Sequence, residues 1–117
     1  MSEITQDTRP MALREPAERY THVVLRLQER AAITWTVEQV QALEKKIKTV
    51  RMMINQQRTP ALILPQKIGE DKEGSVHYYR VLIATAPHTF VWSQVCRGLI
   101  SYRGPGELAQ PLEAPLP

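Results

Sequence analysis

Few side chains in this sequence can do chemistry, and their spacing excludes several kinds of it. Histidines stand at 22, 77 and 88, and the one cysteine is Cys96. No metal-ligand spacing, phosphate-cradling glycine loop or nucleophile elbow joins them. A lone cysteine builds neither an intramolecular disulfide nor a Cys-rich zinc site. Within TFVWSQVC, Cys96 reads as a small core residue of a strand. Neither a metal nor a cofactor is expected. What remains is metal-independent acid–base work on an anionic substrate. A histidine titrating near pH 6.5 serves as base or acid. Arginines such as Arg30 and Arg80 clamp a phosphate bidentately, and a hydroxyl such as Ser101 donates one hydrogen bond.

Some of these residues fall into an order. His22, Glu29-Arg30, Ile33, Thr36 and Val40 give H-x6-E-R-x2-I-x2-T-x3-V. A basic helix follows, then segments carrying Tyr79-Arg80-Val81 and Leu99-Ile100-Ser101. Over residues 20–103 this resembles small phage and bacterial proteins of the RelE/barnase-like class. The resemblance implies two N-terminal helices before a twisted antiparallel sheet. It also implies either a metal-independent endoribonuclease or a relative that has lost catalysis. By it, His22 matches a helix histidine, Arg30 the arginine at the first helix end, Arg80 a sheet arginine and Ser101 a last-strand hydroxyl. The chain departs from the class in its long GEDKEGS turn, in a serine where threonine is common, and in both tails. The competing readings are structural: His22 as a half-buried helix residue, Arg80 as an outward strand residue paired with Glu70, Asp71 or Glu73.

Charge gives a second candidate surface. The formal net charge is +3. It is concentrated in residues 36–60, where Lys45, Lys46, Lys48, Arg51 and Arg58 face only Glu38 and Glu44; residues 104–117 carry only Glu107 and Glu113. A basic middle suits RNA, DNA or an acidic protein. Those five cations are the candidate binding residues, with a solvated helix face as the alternative.

The elements that position these groups follow from periodicity. Thr36 and Gln39 form a capping box. Val40, Leu43, Ile47, Val50 and Ile54 then make a helical stripe over 37–57, which ends before Thr59-Pro60. Glu44 and Lys48 form an i, i+4 pair on it. Residues 16–32 read as a helix with Pro16 at its start and a stripe of Ala17, Tyr20, Val24, Leu27 and Ala31. A strand over 20–28 is the alternative, but the helical stripe runs longer. After Pro60 the period becomes two. Strands are expected at 61–68, 76–84, 89–96 and 99–103, with Gly98 as a turn or bulge; a helix over 89–102 would carry Gly98 at a cost of about 1 kcal/mol. Trp35 and Trp92 read as core or rim packing.

The expected fold is α+β: two N-terminal helices packed on a three- to four-stranded antiparallel sheet. Residues 1–14 form an extended arm, 15–103 the single domain, and 104–117 a Pro-rich tail. No apolar run is long enough to cross a bilayer, and MSEITQDTRPM has no signal core, so a cytoplasmic or virion setting is expected. The leading expectation is a non-enzymatic binding or assembly protein of phage or mobile-element type. Its partner would be a protein or larger assembly, with RNA as a further candidate. The alternatives are the endoribonuclease using His22, Arg30, Arg80 and Ser101, and a DNA-binding regulator. The regulator lacks a recognition helix, since the core needs the stripe of 37–57.

Overall fold

The fold was obtained as a computed structural model, which describes residues 10–55 and 65–106. Residues 1–9, 56–64 and 107–117 lie outside the described residues. With them go Arg58, most of both expected arms, and the first four residues of the expected strand 61–68.

A single 3-10 turn, Met11–Leu13, precedes two helices, α1 (Pro16–Ala31) and α2 (Val37–Asn55). Pro16 needs no N–H partner at the first helical position. Ala32 ends α1 in the left-handed conformation; its N–H caps the Gln28 carbonyl and the Ile33 N–H caps that of Leu27. The helix thus forms where the strand alternative had been open. The Thr36 hydroxyl accepts the Gln39 N–H at 3.2 Å, and the Gln39 side chain accepts the Thr36 N–H at 2.8 Å. That is the capping box read from the sequence.

Four strands follow: β1 (Gln66–Glu70), β2 (Val76–Ile83), β3 (Ala86–Ser93) and β4 (Gly98–Pro105). They form an antiparallel meander in the order β1-β2-β3-β4. One sheet face meets both helices. Tyr20, Val23 and Leu27 of α1 and Val40, Leu43 and Ile47 of α2 pack with Tyr79, Val81, Phe90, Trp92, Leu99 and Tyr102. The architecture is the expected α+β arrangement. Among the described residues, no helix is long and apolar enough to cross a membrane.

The strand boundaries differ from expectation. The segment expected at 89–96 begins at Ala86 and stops at Ser93. Ala84 and Thr85 turn the chain between β2 and β3 with φ of 53° and 68°. A two-residue hairpin turn requires these positive angles, normally supplied by Gly or Asn. Without that signature the turn is invisible in the sequence. Cys96 therefore sits half-buried in the β3–β4 turn, not inside a strand. Gly69 and Glu70 belong to β1, and Asp71 closes the following turn by accepting the Val76 N–H and the Ser75 hydroxyl, both at 3.1 Å. β4 runs past the expected boundary at 103: Gly104 and Pro105 pair with Thr89 and His88. Pro105 is tolerated because β4 is an edge strand.

That edge is closed by helix side chains. Arg30 donates to the Tyr102 and Arg103 carbonyls at 3.1 and 3.2 Å, and Arg19 to the Leu99 carbonyl at 3.2 Å. Glu44 accepts the Leu99 N–H at 2.9 Å. An open edge is a template for pairing with another chain, and these contacts occupy its backbone groups.

Candidate functional site

The four residues aligned with a nuclease divide into two places. His22, on α1, faces Ser101 on β4, with Nε2 and Oγ 3.4 Å apart. Arg30 lies on the same helix one edge over, but its Nη1 is held by the β4 carbonyls. Burial, and then the nearby charges of Arg26, Arg14 and Arg30, lower the His22 pKa below its usual 6.5. Arg80 is elsewhere. Its neighbours Tyr79 and Val81 point into the helix-covered core, so Arg80 lies on the opposite sheet face. It donates to Gln66 of β1 at 2.6 Å. β3 separates its strand from the strand of Ser101. The structure brings His22 and Ser101 together, sets Arg30 on the β4 carbonyls beyond them and leaves Arg80 out.

The basic residues of α2 also divide. Lys45, Lys46 and Lys48 are exposed. Lys46 borders an apolar hollow with Trp35 and Leu43. Arg51 turns toward the sheet. Its guanidinium carbon lies 5.0 Å from the Trp92 ring centroid. Nη1 donates to the Tyr79 hydroxyl at 2.9 Å and meets His77 Nδ1 at 3.1 Å; Nη2 donates to Gln94 Oε1 at 2.6 Å. Trp92 Nε1 donates to the same Gln94 oxygen at 3.0 Å.

The tautomer of His77 follows from this network. Arginine only donates, so Nδ1 accepts and the proton resides on Nε2, which meets the Gly74 carbonyl at 3.2 Å. Burial, and then Lys67 and Arg51, lower the His77 pKa, which keeps this neutral form. Glu70 lies beyond His77, 3.5 Å from Nε2. Every hydrogen-bond partner of Arg51 among the described residues is thus a neutral group. Among the described residues no carboxylate is paired with it.

Arg51 forms the inner wall of a 380 Å³ pocket lined by Lys48, Arg51, Met52, Trp92 and Arg97. Three of these five are cations and none is acidic. The carboxylates of α2, Glu38 and Glu44, line the adjoining hollow with Lys45 and Tyr20 instead. Arg97 reaches the pocket from the β3–β4 turn, where its own φ is 57°.

Lys48 and Arg51 were legible as charges on α2. Arg97, Trp92, Gln94, Tyr79 and His77 were not, because strand register alone delivers them to the end of that helix. Of the guanidinium's five N–H groups, His77, Tyr79 and Gln94 engage three. The remaining two, with a full positive charge held rigid on an indole face, suit an anionic oxygen pair. Comparison with family models, with curated proteins and with solved structures finds no significant match to this chain.

Proposed function

We propose that this chain is a non-enzymatic binding protein that takes a polyanionic partner on the face formed by α2 and the β3–β4 turn. One observation carries the reading: Lys48, Arg51 and Arg97 line a single pocket that, among the described residues, has no acidic wall. Clustered like charge is costly to a fold unless a ligand of opposite sign uses it. Among the described residues Arg51 is fixed there by neutral acceptors only, which leaves its charge to a ligand. The candidate catalytic residues support the non-enzymatic side of the reading, because Arg80 is bonded to Gln66 of β1 and β3 separates its strand from that of Ser101.

The test is retention on a sulfated polysaccharide resin under a salt gradient. Lys48→Gln and Arg97→Asn should each elute at lower salt than the wild type. Arg26→Gln removes the same charge from an exposed Arg26–Glu29 pair on α1 and should elute as the wild type does. If all three variants shift equally, only net charge is being read, and the assigned face is wrong.

A further inference from the structure

We infer that this face binds a single-stranded nucleic acid, one phosphate of which docks on Arg51 between Lys48 and Arg97. The inference rests on the polyanion reading above and names the ligand class.

The first argument is the fork. Arg51 is pre-oriented by Tyr79, His77, Gln94 and the Trp92 ring, so little side-chain freedom is lost when it binds. Two parallel donors on a planar guanidinium match two oxygens of a phosphate. The second argument is continuity. Lys45, Lys48 and Arg51 follow at spacings of three on α2, which makes them surface neighbours about 4.5 Å apart along the axis. Lys48 borders both the Arg51 pocket and the next hollow, where Lys45 lies with the exposed Glu38 and the buried Glu44. A row of cations suits a repeating anion better than an isolated one. The third argument is the company these cations keep. Met52 is 56% exposed beside the pocket, and Val95 is 62% exposed on the turn that carries Arg97. Exposed apolar side chains near these cations offer contact to the faces of unstacked bases, which a duplex does not present.

The experiment measures fluorescence anisotropy of a labelled twelve-nucleotide RNA and its DNA equivalent on the full chain, as a function of salt. Single strands should bind, with log affinity falling linearly in log salt. Lys48→Gln and Arg97→Asn should each weaken binding and reduce the slope by about 0.7, the value for one phosphate contact on a single strand. Arg51→Lys keeps the charge and loses the fork, so affinity should fall about tenfold with the slope unchanged. Its melting temperature is read alongside. If that variant does not fold, the Lys48→Gln/Arg97→Asn double variant decides, and an unchanged affinity there overturns the inference.

Other outcomes separate this inference from the reading beneath it. Polyglutamate bound as tightly as RNA would overturn the nucleic-acid assignment and leave the polyanion face standing. A duplex of the same sequence bound as tightly would overturn the single-strand assignment. Binding only when the oligonucleotide carries a 5′-phosphate would overturn docking along the strand. Binding of neither oligonucleotide nor polyglutamate would remove both proposals.

Discussion

The Glu44 carboxylate accepts the Leu99 backbone N–H at 2.9 Å on one oxygen and the Tyr20 hydroxyl at 2.5 Å on the other. Arg19 Nη1 lies 3.6 Å from the first of these oxygens. Glu44 and Arg19 are each only 6% exposed. This buried group joins α1, α2 and the β4 edge at one point. Burial and then the Glu44 hydrogen bond push the Tyr20 pKa up to about 12, so the hydroxyl remains a donor through the neutral range.

Gly98 makes room for that junction. A Cβ at 98 would meet both Glu44 Oε2 and Arg19 Nη1 far inside contact distance. Gly98→Ala should therefore destabilise the fold by about 1–3 kcal/mol, as overpacking does. Glu44→Ala should cost about 3–5 kcal/mol, because Arg19 is left buried without its counter-charge. Urea melts of both variants check this. A Glu44→Ala loss under about 1 kcal/mol would mean that water reaches Arg19.

The α2 stripe supplies a second measurement. Val40, Leu43, Ile47 and Val50 are all buried. Ile47 has no exposed surface, and Ile47→Ala should cost about 2–5 kcal/mol in the same melts. A loss below about 0.5 kcal/mol would place the stripe outside the core.

How much of this was legible turns on reach along the chain. Thr36 and Gln39 sit three residues apart, so their reciprocal capping could be read directly. The period of two over residues 76–84 was equally local. Glu44 was misread for the opposite reason. Its spacing to Lys48 suggested a surface pair, but it lies on the flank of the stripe between Leu43 and Ile47. Its partners come from α1 and from Leu99, 55 residues away. Local periodicity cannot see such a pairing.

The candidate site shows the same division. Alternation assigned Arg80 a face, but not which face the helices would cover. That depends on the tertiary docking of α1 and α2. Arg97 could not be placed either, because the β3 boundary was read three residues late once the Ala84–Thr85 turn went unseen. The pocket needs Arg97 on a turn, not behind a strand ending in Cys96.

The histidines make stability depend on pH. Burial lowers the pKa of His22, His77 and His88 below 6.5, with neighbouring cations adding at the first two. The unfolded chain therefore binds more protons than the native one just below pH 6.5. Stability should be level above that pH and fall as pH drops through 6.5 toward 5. Asp71, whose pKa is lowered below 3.8 by its turn hydrogen bonds, adds its loss only at lower pH. Thermal melts between pH 5 and 8 test the sign. A melting temperature that rises on acidification would contradict the buried, neutral histidines.

His22 can be followed alone by proton NMR. Its ring should titrate below 6.5, and Arg26→Gln should move that midpoint upward, since Arg26 is the largest of the neighbouring charges opposing protonation. Ser101→Ala removes the hydroxyl 3.4 Å from Nε2 and leaves the three arginines in place. Burial and charge, not the hydroxyl, set the titration, so Ser101→Ala should leave the midpoint below 6.5. If Ser101→Ala restores it to 6.5 and Arg26→Gln does nothing, the hydrogen bond governs His22. That outcome would return the His22–Ser101 pair to consideration as a working acid–base couple.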